Sequence, residues 1–300
     1  METVIVTGGL GRSGRWVVAR LLEADYEVVV ADVDHPGFAV DPVDGVDFRA
    51  ADLTDRGEAL DLIGGVDPDA VVHWAAIPVA GEHPDGTVFE TNTLAAYNTL
   101  EAAGRADAHV VQASSDGAYG FFIADPTPLP EQVPIPETHP LRPEDPYGLS
   151  KVATEEAGAR VTRRYGVPVT SIRPSWIQYP GDYACREPDY VENLDAGAGN
   201  FWSYVDVRDV SDLVVAALES PPTGHEPVNC VAADNALGEP LLDLLAAAYG
   251  RLPDDVDVDP GSDRSAFAVE RAAALFDWEP THSWRDAADD DVRDPILYEQ

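Results

Sequence analysis

Along the first half of the chain, short unbroken apolar runs take turns with stretches whose apolar residues fall three and four apart. "TVIVTGG" (3–9), "YEVVVADVD" (26–34), "DAVVHWAA" (69–76) and "AHVVQASS" (108–115) are runs of the first kind. Their length and β-branched content predict strands buried on both faces. "GRWVVARLLEAD" (14–25) and "TVFETNTLAAYNTLEAAGRA" (87–106) are of the second kind and predict helices with one apolar face. Strand, helix, strand, helix predicts an α/β chain with a doubly wound parallel sheet. A helix over 147–165, a strand "PVTSIRPSW" (168–176), and helices "SDLVVAALES" (211–220) and "PLLDLLAAAYG" (240–250) continue the series.

The pattern breaks between residues 120 and 146, in "ADPTPLPEQVPIPETHPLRPEDP". Neither helix nor strand runs through so many prolines, so a surface loop is expected. It is either a linker or a loop on the substrate side; the pattern leaves both open. No internal repeat and no other low-complexity tract stands out.

Composition changes this picture in two ways. Asp+Glu number 55 against Lys+Arg 19, a formal net charge of −36. Such acidity often marks disorder, but 45% hydrophobic content in ordered blocks excludes that here. A soluble protein adapted to high salt is the expectation, since counter-ions at high concentration screen the self-repulsion. Partners that need basic patches, nucleic acid and anionic membranes, are excluded. No segment has the apolar length of a membrane span, and "METVIVTGG" enters a strand at once, so a cytoplasmic protein is expected. Two cysteines, Cys185 and Cys230, make neither a disulfide framework nor a zinc cluster, and no metal site is expected.

"TGGLGRSG" (7–14) sets Gly8, Gly11 and Gly14 three apart between a strand and a helix. A turn this tight needs permissive dihedrals, and a pyrophosphate needs the backbone close, with no Cβ in the way. The helix that follows points its free N–H groups at the phosphates. This predicts a Rossmann-type dinucleotide-binding domain over residues 1–170. Residues 171–300 would supply the last strands and a small C-terminal substrate-binding lobe. Asp32, at the end of the second strand, is placed to accept hydrogen bonds from ribose hydroxyls and to repel a 2′-phosphate. NAD is therefore expected; NADP stays open, because Arg12 and Arg15 are near.

Lys151 is the sole lysine among 19 basic residues, in "DPYGLSKVATEEAGAR" (145–160). It stands four residues after Tyr147, so both project from one face of a helix. A tyrosine with a pKa of about 10 is a poor base near neutrality, and a nearby ammonium favours its phenolate. Arginine's planar fork would not replace that compact charge.

Taken with "ADLTD" (51–55), "HWAA" (73–76), Asn92, "SSDGAYG" (114–120), "IRP" (172–174), "YVDVRDV" (204–210) and "AALFDWEP" (273–280), the chain resembles the extended short-chain dehydrogenase/reductase family, the group of NAD-dependent epimerases, dehydratases and sugar dehydrogenases. The resemblance runs almost end to end. It implies that Tyr147 is the general acid/base and Lys151 its electrostatic partner, both also meeting the cofactor. Ser115 would hold the reacting oxygen, with Ser114 as rival. It further implies cofactor contacts from Gly8, Gly11, Arg12, Ser13, Gly14, Asp32, Asp52, Leu53, Trp74, Ala75, Ala76, Ile77, Pro174 and Ser175. Asn92 belongs to that set too, or else steadies its helix. Pairing of two copies through helices 87–106 and 147–165 is expected by the same analogy.

The implied chemistry is hydride transfer between a nicotinamide and a carbon bearing oxygen; the substrate is left open. Only about thirty residues separate "IRP" from "YVDVRDV", a span that nucleotide-sugar enzymes usually lengthen, and the asparagine they commonly carry after "IRP" is absent from "IRPSWIQYPGDY". Arginines beyond residue 173 are scattered, whereas a diphosphate needs clustered charge. A small free sugar is therefore expected, an aldose oxidised at C1 to a lactone. Ser115, Asp116, Gly117, Trp176, Gln178 and Arg186 are the expected substrate contacts, with Tyr179 and Trp202 as further candidates. Arg186 would suit a uronate carboxylate and Asp116 would oppose it. A nucleotide-sugar 4-epimerase and a uronate dehydrogenase are the alternatives. A dehydratase is disfavoured because Gly117 stands where that group places a glutamate. A non-catalytic dinucleotide sensor is disfavoured because both Tyr147 and Lys151 are present.

Overall fold

Alternate residues of a strand point to opposite faces, and the first strand shows how both faces come to be covered. In β1 (Thr3–Thr7), Val4 and Val6 pack on one side of the sheet and Ile5 on the other, all fully buried. The computed structural model describes residues 2–37, 40–78, 81 and 83–299. Six strands join β1: β2 (Glu27–Asp32), β3 (Val46–Ala50), β4 (Ala70–His73), β5 (His109–Ala113), β6 (Val169–Pro174) and β7 (His225–Cys230). Their order is β7-β6-β5-β4-β1-β2-β3, and every pairing is parallel.

Parallel neighbours require crossovers, and helices supply them. These are α1 (Gly14–Glu23), α2 (Arg56–Val66), α3 (Asp85–Arg105), α4 (Pro146–Tyr165) and α5 (Val207–Glu219). Leu62 and Ile63 of α2 and Ala95 and Leu100 of α3 pack over Ile5. Val17 and Leu21 of α1 and Leu213 and Val214 of α5 pack over Val4 and Val6. The result is the expected α/β Rossmann-type sheet, seven strands wide, followed by a C-terminal region.

Two strands and one helix carry no apolar run that marks them. β3, "VDFRA", buries only Phe48, as an edge strand with a wet face would. α2 includes the pair Gly64–Gly65, which lowers helix propensity; its start is fixed by Asp55, whose carboxylate accepts from Gly57 N and Glu58 N. β7 opens on "HEP" and buries only its last three residues.

A second core forms from residues on both sides of residue 170. Phe121, Phe201, Trp202, Tyr204 and Phe267 cluster with Leu241 and Leu245 of α6 (Leu241–Tyr249). A two-stranded pair, Trp176–Gln178 with Tyr204–Asp206, joins this core to the sheet's carboxyl edge. α7 (Glu270–Phe276) returns to the sheet, where Ala272 and Phe276 enter the core over Val4. Among the described residues, no helix is long and apolar enough to cross a membrane.

Candidate active site

A cavity of about 990 Å³ opens at the carboxyl ends of the strands, where the sheet order reverses between β1 and β4. Open α/β sheets leave a crevice at that point. One end is made by the glycine loop. Gly8 has φ +68°, and a Cβ there would stand 2.7 Å from Ala75 Cα. A Cβ on Gly14 would overlap Gly8 O. The loop is thus folded tightly on itself at the start of α1, a cradle that side chains would fill. This fits a dinucleotide pyrophosphate.

Around the cradle, Gly11, Arg12, Ser13, Asp32, Asp52, Leu53, Trp74, Ala75, Ala76 and Ile77 all line the cavity. Asp32 accepts from Val33 N (2.8 Å) and Leu10 N (3.3 Å), at the rim between β2 and the loop. Arg12 turns the other way: its guanidinium pairs with Asp182 and lies 3.7 Å from the centre of the Tyr179 ring. Arg15 donates to Leu10 O. Trp74 Nε1 donates to Ser13 Oγ at 3.0 Å. Asn92 borders the cavity, but its amide is engaged, accepting from Ile77 N and donating to Ile77 O and Ser150 Oγ.

The middle of the cavity holds Tyr147, Lys151, Ser115, Asp116 and Gly117. Asp145 caps α4 by accepting from Gly148 N, and Pro146 opens the first turn, which fixes the direction of Tyr147. One turn on, Lys151 Nζ lies 5.4 Å from the Tyr147 ring centre and donates to Ala113 O at 2.9 Å. The sequence predicts a phenol eased towards ionisation by that ammonium; burial instead dominates both groups. It pushes Tyr147 up to about 12, against a hydrogen bond with Ser115, and the nearby Asp116 and Asp145 add to the rise. It also lowers Lys151 to about 8. Ser115 is tied to this centre, whereas the hydroxyl of Ser114 donates to Glu155 at 2.6 Å. Glu155 in turn grips Arg173 through both oxygens, at 2.8 and 2.7 Å.

Asp116 is raised to about 6 by burial, opposed by hydrogen bonds from Ser175, Ser115 and Gly117 N. Ser175 Oγ reaches Asp116 Oδ2 at 2.7 Å. A Cβ on Gly117 would stand 3.3 Å from Ser115 Oγ and 3.6 Å from the Tyr147 ring, so a bare backbone keeps this centre open.

Pro174, Ser175 and Trp176 lead to the far end, where the walls are Phe122, Ile123, Ile177, Tyr179, Tyr190, Ala196 and Asn200. Two expected substrate residues are absent from it. Gln178 is buried behind the wall, donating to Trp176 O and accepting from Cys185 N. Arg186 lies over the Trp284 ring, 4.1 Å from its centre, held by a cation–π contact that no spacing announced. Trp202 is fully buried in the second core, donating to Leu194 O. The proline-rich loop contributes its two ends to this cavity, Phe122 and Ile123 at the start and Asp145 at the close. The place of Asp145 as a helix cap before proline was a readable signal. Tyr190 and Asn200 had no such signal.

Comparison with known proteins agrees with this architecture. The model of a family described as "NAD dependent epimerase/dehydratase family" matches residues 4–231. An uncharacterized epimerase/dehydratase of Staphylococcus aureus is 29% identical over 280 residues, covering 87% of this chain and 84% of that protein. A solved UDP-galactose 4-epimerase matches with a TM-score of 0.67 at 27% identity, over 96% of each chain. The Bordetella bronchiseptica enzyme WbmG, solved with NAD and UDP, matches with a TM-score of 0.66 at 25% identity, over 95% of this chain and 91% of that one.

Proposed function

The chain belongs to the NAD dependent epimerase/dehydratase family, and on that premise we propose that it oxidises a free, neutral sugar at C1 to a lactone, with NAD as oxidant. The glycine loop would hold the pyrophosphate, Asp32 the adenosine ribose, Asp52 and Leu53 the adenine side, and Trp74 to Ile77 with Pro174 the nicotinamide side. Arg12 is engaged by Asp182 and Tyr179 rather than left beside Asp32, which supports NAD over NADP. NAD bound there supplies the hydride acceptor.

The protein's own part is to position and to move a proton. Ser115 would hold the C1 oxygen, Tyr147 would take its proton, and Lys151 would stabilise the resulting phenolate charge. The same residues, run in reverse, would protonate a carbonyl oxygen. Residues 1–170 and 171–300 would share the work, the first holding the cofactor and the second enclosing the sugar.

One observation carries the choice of substrate. Among the described residues lining the cavity, the only cations are Arg12, already paired with Asp182 and stacked on Tyr179, and Lys151, which donates to Ala113 O in the middle of the cavity. A sugar nucleotide's diphosphate would find no clustered donors at the far end. A uronate would meet the Asp116 carboxylate beside Ser115, with Arg186 turned away onto Trp284. Likeness to UDP-galactose 4-epimerase at 27% identity supports the alternative, a nucleotide-sugar 4-epimerase.

The test is direct. Purified protein in molar potassium chloride, given NAD and a panel of free aldoses, should gain absorbance at about 340 nm as NADH forms. Silence with every aldose and uronate, together with interconversion of a nucleotide sugar without net NADH, would establish the epimerase instead.

A further inference from the structure

Arg12 belongs to the glycine loop and lines the cavity, yet the chain gives it an anion of its own. That partner, Asp182, comes from the opposite wall, 170 residues further along the chain. A guanidinium left free beside the cradle would grip a pyrophosphate through two nitrogens. Here Asp182 holds it.

A tight turn brings the partner into place. Tyr179, Pro180, Gly181 and Asp182 follow the type II pattern, with proline second and glycine third. Gly181 has φ +73°, and Asp182 N donates to Tyr179 O at 2.8 Å. The first and last residues of the turn both meet Arg12. Its guanidinium pairs with Asp182 and lies over the Tyr179 ring, 3.7 Å from the centre. The Tyr179 hydroxyl also faces Ser13, whose Oγ accepts from Trp74 Nε1 at 3.0 Å. The base of the turn is fixed on both sides. Gln178, which is buried, accepts from Cys185 N at 3.0 Å, and Tyr183 Oη donates to Asp206. Two successive residues of the glycine loop are thus bridged to one rigid turn across the cavity.

This bridge has two faces. The side chains of Arg12 and Asp182 are 50% and 59% exposed, so its outer face meets solvent. Arg12, Ser13 and Tyr179 line the cavity, so its inner face roofs the space beside the cradle. A dinucleotide reaching from Asp32 and Asp52 to Tyr147 crosses the cradle at its middle, and so runs beneath the bridge. With one end of the ligand on each side, the bridge bars its way out of the crevice.

We propose that Arg12 and the Tyr179–Asp182 turn form a clasp over the pyrophosphate of the bound dinucleotide, which must open for the cofactor to enter or leave. This rests on dinucleotide binding and not on which sugar is oxidised. The clasp closes through the protein's own groups, so it slows entry and exit alike and leaves affinity nearly unchanged. An oxidation that yields free NADH opens it in every turnover, whereas an epimerisation runs many turnovers with it shut. The opening rate is therefore a ceiling on the first reaction and no constraint on the second.

Stopped-flow fluorescence with NADH and the purified protein measures both rate constants. Asp182→Asn keeps the shape and removes the charge. It should raise association and dissociation rates together, about 2- to 5-fold, as loss of an exposed ion pair allows, with Kd constant to about twofold. Gly181→Ala meets no neighbouring atom within 4 Å, but a side chain disfavours φ +73°, so it should act the same way through the backbone alone. Arg12→Gln added to Asp182→Asn should give less than the product of the two single effects, since both cut one bridge. Unchanged rates in Asp182→Asn and Gly181→Ala, with NADH still bound, overturn the clasp and leave the cofactor site standing. Tighter binding with slower release in Asp182→Asn also overturns it, because Arg12 would then be a phosphate ligand that Asp182 withholds. No binding of NADH at all overturns the clasp and the cofactor reading together.

Discussion

At the glycine-loop end of the cavity, positions are set by backbone lying against backbone, at Gly8 beside Ala75 and at Gly14 beside Gly8. At the far end, chain with little regular structure between Trp176 and Ser203 is held by side chains. Tyr183 Oη donates to Asp206, which Arg208 also grips; Tyr249 Oη reaches Ala198 O at 2.8 Å, and Trp202 Nε1 reaches Leu194 O at 3.0 Å. The first kind of wall admits few residue types and presents the same N–H groups whatever the side chains. The second can exchange the residues it shows to the cavity while its anchors stay in place. A constant cofactor and a variable substrate are what that division allows.

The largest effect belongs to the point where the two walls meet. Tyr147→Phe should lower kcat by about 10²- to 10⁴-fold, the usual range for a lost acid–base group. NAD and sugar affinities should stay within a few-fold. The pH profile sharpens this. Oxidation needs a phenolate beside an ammonium, and with Tyr147 at about 12 and Lys151 at about 8 that pair grows tenfold per pH unit up to about 8. Above that point the loss of ammonium offsets the gain of phenolate, so the rate should level off. A profile that is flat from pH 6 to 8, or a fully active phenylalanine variant, would remove Tyr147 from the chemistry.

Two glycines test the contrast between the walls. At Gly14 the atom that a methyl group would strike is backbone, Gly8 O, and the cradle must distort. At Gly197 the atoms struck belong to the side chains of Trp202 and Tyr190. Gly14→Ala should therefore weaken NAD binding about 5- to 150-fold, by an overpacking strain of about 1–3 kcal/mol placed at the phosphates. Gly197→Ala should leave NAD binding intact and weaken sugar binding, with a similar loss of stability. Fluorescence titration with NADH separates the two, and equal losses at both positions would erase the distinction.

The same contrast explains what could be read from the sequence. The glycine spacing, the strand ends at Asp32 and Trp74, and Tyr147 with Lys151 on one capped helix are local patterns, and the structure brings these residues to one cavity. Gln178 was expected there as a pocket-lining side chain and Arg186 as a partner for a carboxylate, but what holds them, Cys185 N in a 3-10 turn and Trp284 on a four-residue helix, lies in elements too short to show periodicity. Tyr190 sits on a single helical turn, Pro188–Val191, and Asn200 at the end of a 3-10 turn, neither of which has a hydrophobic pattern to predict it. β3 was hidden for the opposite reason: it is regular, but an edge strand that buries one side chain leaves no apolar run.

The smallest effect concerns how the variable wall's scaffold is tied down. Asp209, buried on α5, accepts from Thr281 N and Oγ1 and from His282 N and Nδ1, the last at 2.7 Å, and so pins the C-terminal segment to the sheet. The hydrogen bond to Asp209 raises His282 above its ordinary value of 6.5, more than burial lowers it. The folded state therefore holds that proton more tightly than the unfolded chain. The stabilisation is complete below the unfolded value and fades as pH rises through the raised one. The His282 contribution to the wild-type melting temperature should thus shrink as pH rises above 6.5, while His282→Gln, which has no proton to lose, should lack that decline. Because the tie lies in the C-terminal region and not in the glycine loop, His282→Gln should leave the pH dependence of NADH affinity, to which Lys151 at about 8 contributes, as it is in the wild type. If the substitution changed that dependence, the two walls would be one cooperative unit, and the independence that lets one vary while the other stays fixed would be lost.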